Sequence, residues 1–221
     1  ATERVIGGVN RRSIMSKEER EVVAVHESGH AVVSWFLEGA YPLLKLTIIP
    51  RSKGSLGFAQ YLPSETRLET KESCWIESAL FSEGASQNNT FSKESHGAAD
   101  DLQKAYRIAH DLVTKYGMSE KVGYIGYRDG SYLKQYSKNM AVLIDQEVRA
   151  IITAAHRSPV RWSANIRIKF ENSLTGTVEV DIGGKQIREI LGERPFAPHS
   201  GYKAYLELES KLKEANSTPS L

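Results

Sequence analysis

At 221 residues, with 40% hydrophobic and 25% charged residues, the chain can bury a sizeable core as one large domain or two small ones. A net charge of only +2 argues against nucleic acid or an anionic membrane as the main partner. Cys74 is the only cysteine, which excludes an intrachain disulfide framework and any cysteine-based zinc knuckle, and no apolar run reaches the length of a bilayer span.

The opening residues ATERVIGG begin mid-pattern, like the end of a helix stopped by Gly7. Residues 1–15 therefore read as the tail of a preceding module and a linker, as though the chain were cut from a longer protein. A helix is predicted from Ser16 to Leu37. Ser16 and Glu19 have S-x-x-E capping-box spacing, and Glu18 and Glu19 suit the positive first turn. Val22, Val23, Val25, Ala31, Val32, Val33, Trp35 and Phe36 make the middle largely apolar, and the helix should stop near Glu38-Gly39.

Inside that helix lies AVHESGHAV, in which His26 and His30 bracket Glu27 with HExxH spacing. Residues four apart share a helix face, so both imidazoles can supply half of a tetrahedral zinc site. Glu27, one residue after the first histidine, can then act as general base on a water. The pentapeptide recurs by chance on solvated helices, but such an apolar run around it is unusual for a solvated face. Three protein ligands and one open position are the rule for catalytic zinc, so a third ligand must come from elsewhere.

Leu44–Pro50 and Leu56–Leu62 are short apolar segments around Arg51-Ser52-Lys53-Gly54-Ser55 and predict a β-hairpin. It either packs on the zinc helix as structure alone or offers a strand edge to an extended polypeptide, a mode of binding indifferent to sequence. Cys74, Trp75, Ile76, Ala79, Leu80 and Phe81 suggest a buried helix, with Cys74 in the core rather than acting as a nucleophile. A further helix is predicted from Ala98 to Tyr116, where Leu102, Ala105, Ile108, Ala109, Leu112 and Val113 recur at helical spacing before Gly117. Asp100 and Asp101 fall in its first turn, where acidic residues are ordinary dipole partners. Those two, His96 and His110 are all candidates for the third ligand, and spacing alone does not choose among them.

Lys121 to Tyr136 is rich in Gly and Tyr and reads as a surface loop, followed by a helix from Tyr136 to Arg157. From Ser158 to Gly184 the segments IRIKF and TVEVDI alternate like strands, and Pro159 interrupts a continuing helix. Tyr202 to Ala215 reads as a charged helical tail, with Asn216 to Leu221 expected to be disordered. No G-x-x-x-x-G-K-[ST] loop is present, so the chain itself offers no P-loop for ATP.

ATERVIGG, VAVHESGHAVVSWFLEGAYPLLKLTIIPR, LGFAQYLP, GAADDLQKA, GMSEKVG, IDQEVRAII and ILGERPF occur in that order over nearly the whole chain. Together they resemble the proteolytic domain of the FtsH-type AAA zinc metalloproteases, in particular the mitochondrial m-AAA branch that includes paraplegin. The resemblance implies a mainly α metalloprotease domain with a small antiparallel β-hairpin or sheet beside the zinc helix. It puts the family's zinc histidines on His26 and His30, its catalytic glutamate on Glu27, and its third ligand, the aspartate ending Gly-Ala-x-x-Asp, on Asp101. The peptidase domain is then expected over residues 16–200, after the end of an ATPase module at 1–15 and before the tail at 201–221.

The same resemblance implies an endopeptidase for unfolded or misassembled proteins, with Zn2+ as cofactor and ATP acting only through a module absent from this chain. It implies a hexameric ring of identical or related subunits, held on the matrix face of the mitochondrial inner membrane by segments absent here. Two departures stand against it. Gln87 and Asn88 occupy the places of a family Glu-Glu pair, which leaves a catalytically impaired scaffold domain as the alternative. The family also has paired helices where 158–184 alternates like strands. Because IGGKQIREILGERPF resumes the family register directly afterwards, helices are expected there.

Overall fold

A computed structural model describes residues 15–49, 56–62, 68, 70–84, 98–127, 136–156, 180–197, 201–205 and 207–208. The first helix, α1 (Lys17–Phe36), starts on the expected reciprocal cap. Ser16 Oγ accepts from the Glu19 amide at 3.1 Å, and Glu19 Oε2 accepts from the Ser16 amide at 2.9 Å, so two otherwise orphaned donors are satisfied. Its far end turns through Gly39, whose φ of +82° is the left-handed conformation that an L side chain resists. Ala24, Ala31, Val32 and Trp35 bury one stripe of α1 against a small sheet.

The sheet has the order β2-β1-β3, with β1 (Leu43–Ile48) between β2 (Phe58–Tyr61) and β3 (Val180–Gly183), antiparallel to both. Leu46 is paired with Ala59 on one side and Ile182 on the other. Consecutive strand residues face opposite sides of a sheet, and Leu46, Thr47 and Ile48 are all buried, so β1 is covered on both faces. The predicted hairpin is thus present, with its turn outside the described residues. The helices expected over 158–184 are corrected at 180–183, which is strand. The alternating TVEVDI pattern prevails there because β1 would otherwise leave a buried row of backbone donors and acceptors unpaired. The remainder, 157–179, lies outside the described residues.

Helix α5 (Gly184–Leu191) follows β3 directly, with Gln186 Oε1 accepting from the Gly183 amide at 3.1 Å. Beyond it, Arg194 returns to the C-terminal end of α1. Its guanidinium donates to the carbonyls of Ser34 (3.2 Å), Trp35 (3.2 Å) and Ala40 (2.6 Å), while Trp35 Nε1 donates to Gly192 O at 3.1 Å. The last carbonyls of a helix have no internal partners, and a cation there also complements the helix dipole.

Three further helices complete the body: α2 (Lys71–Gly84), α3 (Ala99–Thr114) and α4 (Lys138–His156). α2 packs on α1, α3 and α4, and so connects the sheet side of the fold to the second core. Cys74 is buried on α2. The second core joins Ala109 and Val113 of α3 to Ile144 and Val148 of α4. Val122 enters it as well, so the segment read as a surface loop is anchored at its start, whereas Tyr124 is exposed. Ser119 Oγ and Lys121 Nζ donate to Glu147 at 2.9 and 2.6 Å, tying that segment to α4. The tail begins as helix at 201–205 with Tyr202 buried; its continuation from 209, residues 1–14 and the Gln87-Asn88 pair lie outside the described residues.

Candidate metal centre

The helical repeat of α1 stacks His26 over His30, with ring centroids 4.7 Å apart and planes at 89°. Their Nε2 atoms converge to 3.2 Å. Asp101, 71 residues after His30 and in the first turn of α3, brings Oδ2 to 3.0 Å from His26 Nε2 and 3.1 Å from His30 Nε2. Among the described residues this is the one group of His, Cys, Asp and Glu side chains close enough to hold a metal ion, its ligand atoms lying within 4.8 Å of one another.

Hydrogen bonding decides what such a cluster can accept. His30 Nδ1 lies 2.9 Å from the carbonyl oxygen of Leu80 on α2, an acceptor that requires a proton on Nδ1. In the neutral ring Nε2 then carries only a lone pair, and it faces another imidazole nitrogen and a carboxylate oxygen. Unless His26 Nε2 carries a proton, three electron-rich atoms at such distances repel one another and call for a cation among them. Two imidazoles and one carboxylate also form a donor set for a zinc-like divalent ion with a fourth position left open. The residues therefore fit a metal.

The ionisation preferences point the same way. Burial works to raise the Asp101 pKa, yet the two imidazoles beside it outweigh burial and hold the carboxyl far below its ordinary range. Burial likewise works to lower the His30 pKa, but the Asp101 hydrogen bond, the charges of Glu27 and Asp101 and the Leu80 carbonyl together raise it.

Glu27 is 7% exposed, and burial raises its pKa against the opposing pull of His30 and His26. A carboxylate in this state is a better base than one in water. Gly57, just before β2, presses on it: a Cβ there would lie 2.7 Å from both Cγ and Cδ of Glu27. Tyr61 at the other end of β2 has its pKa pushed well above the ordinary value by burial, then by the charges of Glu27 and Asp101, so it stays a neutral phenol.

Of the sequence candidates, His26, Glu27, His30 and Asp101 are thus brought together. Asp100 points outward to Lys104 with its side chain 76% exposed, His110 lies beside Tyr106 further along α3, and His96 is outside the described residues. Gly57, Tyr61, Lys104 and the Leu80 carbonyl were not singled out from the sequence. Gly57 and Tyr61 lie within LGFAQYLP, which marked the hairpin without revealing that Gly57 abuts Glu27. A backbone carbonyl such as that of Leu80 has no sequence signature.

Residues 13–176 match the family model of peptidase family M41. Among curated proteins, the chain is 39% identical over 227 residues to the mouse mitochondrial inner membrane m-AAA protease component AFG3L1, covering 99% of this chain and 29% of that protein. It is 40% identical over 209 residues to the ATP-dependent zinc metalloprotease FtsH of Rhodothermus marinus, covering 90% of this chain and 30% of that protein. Against the yeast m-AAA protease component YTA10 it is 37% identical over 221 residues, covering 96% and 29%. The chain therefore spans less than a third of the length of these relatives.

Proposed function

This chain belongs to peptidase family M41, and from that premise we propose that it is the zinc endopeptidase domain of an ATP-dependent protease. His26, His30 and Asp101 hold the zinc, and Glu27 is the general base. The observation that carries the assignment is the convergence of His26 Nε2 and His30 Nε2 on one oxygen of Asp101, at 3.0 and 3.1 Å.

Zinc, when bound, supplies Lewis acidity to the scissile carbonyl and to water. The remaining chemistry belongs to the chain. Glu27 accepts a proton from water as its oxygen attacks the carbonyl carbon, then delivers that proton to the leaving amine as the C–N bond breaks. Gly57, having no side chain, leaves the room beside β2 that the Glu27 carboxylate takes. The Leu80 carbonyl fixes the His30 ring so that its second nitrogen faces the site. Among the described residues β2 pairs only with β1, so its other edge, beside Glu27, can take an extended substrate by backbone pairing.

The relatives named as ATP-dependent and as mitochondrial inner membrane components support a wider reading. In it, this domain acts in a hexameric ring, receives unfolded chains from an ATPase module outside residues 1–221, and resides at the matrix face of the mitochondrial inner membrane. The decisive experiment is Glu27→Gln, assayed for cleavage of an unstructured peptide and for zinc per chain. Cleavage should fall by roughly 10²–10⁴-fold, the usual share of a general base, while zinc is retained. Undiminished cleavage would remove Glu27 from the chemistry. No cleavage by the unaltered chain would favour the scaffold alternative.

A further inference from the structure

The two oxygens of Asp101 have different surroundings. Oδ2 faces the imidazoles, whereas Oδ1 lies 3.5 Å from Lys104 Nζ. Lys104 sits one turn further along α3 and is held from two sides. Asp100 Oδ2 accepts from its ammonium at 2.6 Å, and the Phe81 ring lies below it with the centroid at 5.1 Å. Phe81 in turn packs against His30, centroids 6.5 Å apart at 79°. The ammonium therefore sits beside Asp101 and over the ring that packs on His30.

From this we infer that Lys104 is a positioning residue, whose ammonium occupies Oδ1 of Asp101 and leaves only Oδ2 for the metal. A carboxylate can bind a metal through one oxygen or both. At 3.5 Å the contact is long, but a positive charge beside Oδ1 disfavours a second cation there, which is how outer groups set the mode of a ligand. Single-oxygen binding keeps the coordination number low and the fourth position open for water. The inference rests on the ligand set proposed above. The competing view is that Lys104 is a solvent-exposed ion pair with Asp100 and has no bearing on the metal.

Cobalt in place of zinc separates these views, because the intensity of its visible ligand-field bands falls as coordination number rises. The full chain loaded with Co2+ is compared with Lys104→Met, which keeps the stem on Phe81, and with Lys104→Arg, which keeps a charged donor. Lys104→Met should lose band intensity at equal cobalt content, and Lys104→Arg should retain it. Melting curves of the metal-free proteins check that each variant folds, and Lys104→Gln replaces the Met variant if that one does not. Equal bands in the neutral variant and the unaltered chain would overturn the role of Lys104 alone. Absence of any cobalt band in the unaltered chain would overturn the ligand set and this inference with it.

Discussion

Gly57 and Glu27 approach so closely that the smallest side chain at position 57 would overlap the carboxylate-bearing arm. A Cβ would stand 2.7 Å from Cγ and Cδ of Glu27 and nearer still to Oε1. The atoms it meets include the root of the side chain, so Glu27 cannot yield by rotating its tip, and its burial leaves little room to retreat. Gly57→Ala should therefore displace the base. Peptide cleavage is expected to fall at least about 10-fold, in line with the cost of a misplaced catalytic group, with zinc content unchanged. Unchanged cleavage would mean that β2 yields rather than Glu27.

Asp101→Asn keeps the shape of the side chain and removes the charge that His26 and His30 share. Zinc affinity should drop by at least about 10-fold, measured by competition with a chromogenic chelator. Binding to the folded state alone also stabilises it, by about 2.7 kcal/mol when free metal is 100-fold above its dissociation constant. Chelation should consequently lower the melting temperature of the unaltered chain by more than that of Asp101→Asn.

Arg194 joins the end of the chain's helical body to α1 through three carbonyls, those of Ser34, Trp35 and Ala40. Arg194→Met retains much of the volume and leaves those acceptors unpaired. The expected loss is about 2–3 kcal/mol of unfolding free energy, read from the denaturant midpoint. Arg194→Lys should recover only part of it, since one ammonium cannot reproduce the guanidinium fork.

Glu147 has its pKa held below the ordinary value, first by the Lys121 ammonium and then, against burial, by the Ser119 hydroxyl. A carboxyl with a lower pKa in the folded state contributes stability that is present above the unfolded value, about 4.3. That contribution is lost as pH falls through the folded value. Glu147→Gln should lower stability at neutral pH by about 1 kcal/mol, given that Lys121 is largely exposed. The variant should also flatten the acid side of the stability curve below pH ~4; a parallel acid limb in both proteins would assign that limb to other groups.

Much of the architecture could be read from neighbouring residues. The S-x-x-E pair at Ser16 and Glu19 forms its cap as spaced, and the apolar stripes of α1 and α3 largely face the cores that their periodicity predicts, with Leu102 of the latter left exposed. Alternation in TVEVDI was a truer guide at 180–183 than the resemblance, because a two-residue period reports directly on a pleated, half-covered strand. The Val122 anchor escaped because a lone valine in a Gly- and Tyr-rich segment carries no period at all.

That His26, Glu27 and His30 share one stretch of helix was legible from the chain, since a repeat of 3.6 residues is a property of consecutive amino acids. The resemblance then pointed to Asp101, but spacing left Asp100, His96 and His110 equally open. Which of them comes within hydrogen-bonding distance of the two imidazoles depends on how α2 packs against α1 and α3, a property of the folded chain alone. The same packing aims the Leu80 carbonyl at His30, sets Gly57 against Glu27 and seats Lys104 beside Asp101. Contacts between residues distant in sequence follow from the shapes of buried surfaces, and no local pattern in the chain encodes them.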